Sequence, residues 1–479
     1  MKRRDFLRAA LGTASGLCLY GCTDLRQAQA SKYAKKPNII FILADDLGYG
    51  DLGCYGATKI KTPRIDRMAD EGMRFTSFYT QPICGPTRTA IMTGCYPMRV
   101  AEYDNKKRHH PFVHIEEIFI PEVLKKGGYI SACIGKWDMN GHISDGFPEG
   151  VTPNKQGFDY FYGRPSEGDI FKNEQHIGGV PDAELTKRYT DEAISFIEQN
   201  TSQPFFLYLA HTMPHIPLAA SDDFKGKSER GLYGDVVEEI DFNVGRILDK
   251  VKELGIDDNT VIIFASDNGP WPYWTGEKDS GSAGPLRGQK CETWEGGVRV
   301  PFIVRAPGLV AADKTCDAII GDIDMLPTFA SLAEVDTPQD RVIDGKNILH
   351  LMTEQRQSSP QPTARYYYYD SHLQAVRSGK WKLILQRPKC PPWLSDEGLA
   401  GNWRGRDVEE IAEPQLYDMQ HDIGETTDVA AQHREIVQSL LELAEIARND
   451  IGDYNRIGKN ARFFGSQPIR PDAAKWKNK

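Results

Sequence analysis

The sequence predicts an α/β fold: a central, mostly parallel sheet flanked by helices, followed by a smaller C-terminal α+β domain of antiparallel sheet plus helix. Three observations carry this. Short, nearly continuous apolar runs recur along the first part of the chain, as in strands buried on both faces of a sheet. Amphipathic segments with helical spacing lie between them. After a polar, proline-bearing stretch the pattern changes to closely spaced strands and one helix. A length of 479 residues with 40% hydrophobic content suits two globular domains.

In chain order, the strands are read at Asn38 to Ala44, Tyr129 to Ile134, Pro204 to Ala210, Thr260 to Ala265 and Pro301 to Val304. Between the third and fourth, Val236, Ile240, Val244, Ile247, Val251 and Leu254 share one helical face, while Glu238, Glu239, Asp249 and Lys250 take others, so Asp235 to Leu254 is a crossover helix. These elements define a catalytic domain over 36–352. Thr353 to Arg365, with Ser358, Ser359, Pro360 and Pro362, reads as a linker. Tyr366 to Asp370, Gln374 to Arg377 and Trp381 to Leu385 then read as antiparallel strands and Glu435 to Ala447 as a helix, within a C-terminal domain over 365–470.

Residues 1–30 read as an export signal. Lys2, Arg3 and Arg4 precede Asp5-Phe6-Leu7 and a weakly apolar stretch, the twin-arginine pattern, too short to span a bilayer. Leu19-Tyr20-Gly21-Cys22 resembles a lipoprotein processing box, which would make Cys22 the acylated first residue; the alternative is ordinary cleavage near Ala28 to Ala30. The expected location is periplasmic or lipid-anchored at a bacterial membrane, with no membrane contact beyond that anchor. A net charge of −9 excludes a general nucleic-acid surface, and an anionic substrate requires a local cationic pocket. Of the nine cysteines, Cys18 leaves with the signal, Cys22 is the lipidation candidate and Cys84 is reserved for chemistry. Cys54, Cys95, Cys133, Cys291, Cys316 and Cys390 are left as disulfide candidates, with no pairing legible and no zinc spacing among them.

Ligands of an open parallel sheet collect at the carboxyl ends of its strands. Four strands here end in reactive groups: Asp45-Asp46, Lys136, His211 and Asp267-Asn268. Singly, each has an ordinary explanation as a cap, a solvated lysine or a structural histidine. Together they form a constellation. Asp45, Asp46, Asp267 and Asn268 supply hard oxygens suited to Ca²⁺, with Mg²⁺ second. Lys136 and Lys290 add positive charge for a tetrahedral anion, and His211, with an ordinary pKa of roughly 6.5, can protonate a leaving alkoxide. The set implies hydrolysis of an anionic ester.

Cys84-Gly85-Pro86-Thr87-Arg88, continuing to Thr93-Gly94, resembles the signature of the type I, formylglycine-dependent sulfatases of the alkaline phosphatase-like superfamily. The resemblance extends to Ala44 to Asp51, Gly135-Lys136-Trp137, His211 to His215, Ser266 to Gly269, Leu286 to Lys290, Glu295 to Pro301, and Leu416 to Ala430. It implies that a maturase oxidises Cys84 to formylglycine, that residue 84 joins Asp45, Asp46, Asp267 and Asn268 around the cation, and that a hydroxyl of the aldehyde hydrate attacks sulfur. Its second hydroxyl then expels sulfate. Pro86 places residue 84 at a helix N-terminus, which favours an anion, and Arg88, one turn on, is expected at the hydrate oxygen. Without these companions Cys84 would read as a buried hydrophobe or half of a disulfide.

His215, Trp271 and Trp274 are candidate substrate contacts, the tryptophans, with Tyr273, as a stacking platform for a sugar or simply as loop core. The expected substrate is a sulfated carbohydrate. A phosphatase or phosphonate hydrolase of the same superfamily and an inactive binder of sulfated glycans are the other readings. The family usually reads Gly-Lys-Trp-His at the second strand end, and here the histidine position is Asp138. Asp138 itself, or His142 folding back beside Gly141, then supplies the base; a neutral imidazole avoids the charge clash, which favours His142.

Overall fold

The computed structural model describes residues 36–102, 112–113, 116–139, 152–272, 280–353, 364–388 and 410–462. The export segment, His142, Tyr273, Trp274, Cys390 and most of the linker lie outside them.

An eleven-stranded sheet organises the larger part of the chain. Its strands are β1 (Asn38–Ala44), β2 (Met73–Tyr79), β3 (Ile130–Lys136), β4 (Tyr160–Arg164), β5 (Ile170–Lys172), β6 (Gln175–Gly178), β7 (Phe205–Ala210), β8 (Thr260–Ser266), β9 (Arg299–Arg305), β10 (Lys314–Cys316) and β11 (Ile320–Gly321). The spatial order is β10-β2-β9-β8-β1-β7-β3-β4-β5-β6, with β11 also on β2. The five central strands, β8 to β4 in that order, are all parallel.

The β1 run Asn-Ile-Ile-Phe-Ile-Leu-Ala is buried throughout because helices cover both faces. Ile39, Phe41 and Leu43 join one core, and Ile40, Ile42 and Ala44 the other, as alternation along a strand requires. The second core is filled from α1 (Pro63–Asp70), α3 (Asp182–Gln199) and α4 (Leu232–Glu253). On α4, Val236, Ile240, Val244, Ile247 and Val251 are buried, as the helical periodicity requires. Helix α2 (Cys84–Thr93) lies on the first face.

One strand departs from expectation. The Pro301 to Val304 run is buried like a parallel strand, yet β9 is antiparallel to both β8 and β2. Continuous apolar burial reports that two faces are covered and not which way the strand runs. The reversal matters for the site: β9 begins at the edge where its neighbours end, so the segment before it, with Lys290, arrives beside their carboxyl termini.

A second sheet is antiparallel, in the order β12 (Arg365–Tyr369), β13 (His372–Ser378), β14 (Trp381–Ile384), β15 (Gln415–Asp418). Helix α5 (Arg434–Asp450) packs on it through Leu440, Ala444 and Ala447. Leu373, Val376, Leu383 and Leu416 belong to the same continuous core as Phe41 and Phe329, so the smaller sheet is built onto the larger one. Among the described residues, Cys54, Cys84, Cys95, Cys133, Cys291 and Cys316 form no disulfide with one another. No helix among the described residues is long and apolar enough to cross a membrane.

Candidate active site

Three parallel strands deliver their carboxyl-terminal residues to one edge. Asp45 and Asp46 follow β1, Lys136 ends β3 and Asp267-Asn268 follow β8; all are buried. Asp46 adopts a left-handed φ of 68°, turning its carboxylate back toward Asn268, whose amide donates to Asp46 Oδ1 at 2.7 Å. The Asp46 amide in turn donates to Asp267 Oδ1 at 3.1 Å. Single ligand atoms of Asp45, Cys84 and Asp267 lie within 4.8 Å of one another, as do those of Asp45, Asp46 and His215.

Three buried cations hold these carboxylates together. Lys136 Nζ is 2.7 Å from Asp45 Oδ2, and Lys290 Nζ is 2.7 Å from Asp46 Oδ1. Arg88 Nη2 is 2.8 Å from Asp267 Oδ2 and 3.6 Å from Asp45 Oδ2. Burial pushes the Asp45 carboxyl upward, but Lys136, His215, Arg88 and Lys290 together hold it well below the usual range. Burial and then the Asp45 charge push Asp267 up instead, since two carboxylates this close do not ionise independently.

Cys84 opens α2, with Lys136 Nζ 3.6 Å from its sulfur. Burial, then the charge of Asp138, raises the thiol well above its ordinary value, so as a cysteine it stays protonated and a poor nucleophile. Thr87, one turn later, donates to the Asp267 carbonyl at 2.7 Å, locking the helix start to the β8 end.

This buried Asp-Asp, Cys-x-Pro-x-Arg, Lys and Asp-Asn arrangement coincides with what comparison finds. The family described as Sulfatase matches residues 37–335, and the C-terminal region of aryl-sulfatase matches 360–474. The chain belongs to the sulfatase family. A rat N-acetylgalactosamine-6-sulfatase is 38% identical over 383 residues, spanning 73% of this chain and 71% of the rat protein. The N-acetylgalactosamine-6-O-sulfatase of Bacteroides thetaiotaomicron is 31% identical, spanning 89% of this chain and 96% of the bacterial protein. The structure of the PsFucS1 sulfatase from Pseudoalteromonas sp. superposes with a TM-score of 0.75 at 27% identity, covering 88% of this chain and 91% of that one. Hydrolysis of sulfate esters is therefore the activity of this family, and this chain is a sulfuric ester hydrolase.

The donor set of the sulfatase fits a hard divalent cation. Asp45 Oδ1 and Asn268 Oδ1 are buried acceptors with no hydrogen-bond donor, and the neighbouring oxygens come from Asp46 and Asp267. Such oxygens are stable in a low-dielectric site only when something positive meets them.

The other candidate residues are placed as follows. His211 follows β7, but the chain has not yet left the core at that point. It is buried near Tyr189, with ring centroids 6.5 Å apart, neither ring nitrogen is hydrogen-bonded, and burial lowers its pKa to about 4. His215, four residues on, lines the cavity over the site. Its Nδ1 meets the Ile216 carbonyl at 2.6 Å, and a carbonyl only accepts, so Nδ1 carries the proton. Nε2 is then the working nitrogen, 3.7 Å from Asp46 Oδ2. Arg88, expected at the hydrate oxygen, is buried one turn after residue 84, where it grips Asp267 and donates to the Lys136 carbonyl at 2.8 Å.

Asp138 sits at the site with φ 57°, its Oδ1 accepting from the Ser166 hydroxyl at 2.5 Å and its Oδ2 3.5 Å from Lys136 Nζ. The charge clash that favoured His142 is thus met by Lys136 and Ser166. His142 lies outside the described residues. Trp271 does not line the cavity; its ring covers Lys290, whose Nζ is 4.4 Å from the centroid, and leans on His215 at 5.9 Å. Trp274 lies outside the described residues. Sequence reasoning missed Ser166, which follows β4, an element whose run Tyr-Phe-Tyr-Gly-Arg is short and interrupted by glycine.

Proposed function

We propose that this sulfatase removes sulfate from a carbohydrate in an exported setting, using Ca²⁺ and a formylglycine that a maturase makes from Cys84. The observation that carries this reading is the meeting, at one sheet edge, of the Asp45, Asp46, Asp267 and Asn268 oxygens with residue 84 at a helix N-terminus between Lys136 and Asp138. The relatives named for N-acetylgalactosamine sulfates support a sugar substrate. The Lys2-Arg3-Arg4 segment and Cys22 support export, with lipid attachment at the membrane.

When present, formylglycine supplies as its hydrate the attacking hydroxyl, and the cation held by Asp45, Asp46, Asp267, Asn268 and residue 84 draws charge from the sulfate oxygens. The remaining work falls to side chains of the chain itself. Lys136 and Lys290 present ammonium groups to the anion. In its imidazolium form, with Nδ1–H held by the Ile216 carbonyl, His215 delivers the Nε2 proton to the leaving sugar oxygen and returns to the neutral ring. Asp138, held by Ser166, accepts a proton at residue 84.

Paired sulfate and phosphate esters of the same sugars test the reading, alongside mass analysis of the peptide containing residue 84. The expected result is sulfate release far above phosphate release, an aldehyde at residue 84, loss of activity on calcium chelation, and at least a hundredfold loss for Asp45→Ala or Asp267→Ala. Full activity in metal-free protein, or in protein retaining the thiol, would reject the mechanism.

A further inference from the structure

Lys290 and His215 converge on the same two groups. One is Asp46: Lys290 Nζ is 2.9 Å from its Oδ2, and His215 Nε2 is 3.7 Å from the same oxygen. The other is the indole of Trp271, whose ring centroid is 4.4 Å from Lys290 Nζ and 5.9 Å from that of His215, with 46° between the two planes. Trp271 is partly buried and is not among the residues lining the cavity, so its ring is placed to hold these two side chains rather than a sugar.

The backbone fixes this arrangement. Trp271 follows β8 through Asp267, Asn268, Gly269 and Pro270, while Lys290 belongs to the segment that leads into β9. The Lys290 amide donates to the Pro270 carbonyl at 2.8 Å, and the Gly269 amide to the Gly297 carbonyl at 3.0 Å. A Cβ on Gly269 would stand 1.8 Å from the Gly296 carbonyl oxygen, so only glycine lets the two segments pass this closely. The ring and the lysine it covers are therefore held in register by a backbone bond one residue away from the ring.

Lysine carries its charge on a flexible four-carbon stem, and Asp46 restrains one side of the ammonium. A ring face on another side narrows the directions left to the remaining N–H bonds. A further carboxylate in place of the indole would also attract Lys290, but it would repel the sulfate ester. The indole quadrupole attracts a cation without adding net charge. Its bulk also restrains the His215 ring, whose Nδ1 is already tied to the Ile216 carbonyl.

We propose that Trp271 is a positioning residue of the sulfatase reaction: its indole braces the Lys290 ammonium and the His215 imidazole so that both meet the sulfate ester together. The proposal rests on the roles given above to Lys290 and His215.

The test measures KM for para-nitrophenyl sulfate and the competitive inhibition constant of inorganic sulfate, each below the Tm of the variant concerned. Trp271→Leu keeps an apolar side chain without a ring face and should raise both constants about tenfold, while Trp271→Phe, which keeps a ring, should stay within about threefold of wild type. Trp271→Met takes the place of the leucine variant where the latter does not fold. Lys290→Met should raise the sulfate constant by at least about tenfold, and adding Trp271→Leu to it should change that constant by less than about twofold, because the ring then has no cation to hold. Trp271→Leu should also lower kcat for the best of the sugar sulfates more than for para-nitrophenyl sulfate, whose good leaving group needs little help from His215. Unchanged constants in Trp271→Leu, equal losses in the leucine and phenylalanine variants, or effects of Trp271→Leu and Lys290→Met that multiply would each overturn the proposal. An equal fall in kcat for the two esters would overturn the bracing of His215. A sulfate constant unmoved by Lys290→Met would overturn the role of Lys290 itself, whereas a loss in Lys290→Met with none in Trp271→Leu would overturn the positioning alone.

Discussion

Two single residues decide how this site differs from its family pattern. A carboxylate beside a sulfate is unfavourable unless its charge is engaged, and Asp138 is engaged by the Ser166 hydroxyl at 2.5 Å and by Lys136 at 3.5 Å. Its charge is the second cause, after burial, of the raised Cys84 thiol, which places it within electrostatic reach of the nucleophile position. Asp138→Ala should therefore preserve the first alcohol-release burst and slow steady-state sulfate release by roughly a hundredfold, the range expected on losing a general base. His142→Ala should leave both phases near wild type; the opposite pattern in rapid-quench kinetics would return the base to His142. The histidines make a second contrast. His215→Ala should lower kcat/KM most for substrates with poor leaving groups, such as alkyl sugar sulfates, and much less for activated aryl sulfates. His211→Ala should appear mainly as a loss of stability, because His211 is a buried core group, and an equal leaving-group dependence for both variants would refute the assignment. The motif His-Thr-Met-Pro-His contains both candidates, and sequence could not choose between them. His211 is level with Ala44, the last residue of β1, its amide donating to the Leu43 carbonyl, while four residues later the chain has turned over the edge and lines the cavity.

Among the elements, four of the five central parallel strands were legible to within a residue or two, because Asn38 to Ala44 or Thr260 to Ala265 have no polar position at which a helix could face solvent, while the short, glycine-interrupted β4 was not. The direction of β9 was not, since burial is blind to polarity, and β15 was seen only through its family resemblance because a four-residue strand carries little periodic signal. Contacts between helices were equally invisible. The α1 N-terminus has no cap from its own Thr62; instead the Arg64 and Ile65 amides donate to Asp241 of α4 at 3.0 and 2.7 Å. Burial, only partly offset by these bonds, pushes the Asp241 carboxyl up to about 7. The folded protein thus holds this proton more tightly than the unfolded chain, whose carboxyl titrates near 4. The stability it contributes is complete below about pH 4 and is lost as pH rises through about 7. Asp241→Asn keeps an acceptor without the charge. Relative to wild type, its unfolding free energy from denaturant titration should improve progressively from pH 4 to 8, by at most about 4 kcal/mol; a pH-independent difference would show that Asp241 does not bind the proton in the folded state.

At the scale of the whole molecule, the smaller sheet completes the active site from behind. Lys290 reaches Asp46 from a segment whose continuation, Thr293 to Glu295, is held in good part by residues after 370. The Lys382 ammonium donates to the Thr293 carbonyl and to Glu295 Oε1, both at 2.9 Å, and pairs with Glu425 Oε1 at 2.8 Å. Gln374 Oε1 accepts from the Thr293 hydroxyl at 3.0 Å, and the Glu295 amide donates to Glu425 Oε2 at 2.7 Å. Lys382, Arg377 and Arg299 hold Glu295 low, to about 2, against the effect of its burial. Lys382 thus pairs with two buried carboxylates, sharing Glu295 with Arg299 and Arg377, and fixes the backbone three residues from Lys290. Replacing it by Met removes the charge while keeping the volume, leaving Glu295 and Glu425 facing each other in a low-dielectric interior. The expected destabilisation is about 3–5 kcal/mol. A purely structural role would end there. A positioning role predicts more: well below the variant's Tm, Lys382→Met should raise KM for the sulfate ester as Lys290 loses its anchor. Adding Glu425→Gln, which removes one of the two stranded charges, should recover part of the Tm without restoring KM, since the Thr293 carbonyl still lacks its donor. Recovery of KM together with Tm would show that the network sets stability alone and that Lys290 is placed by its own loop.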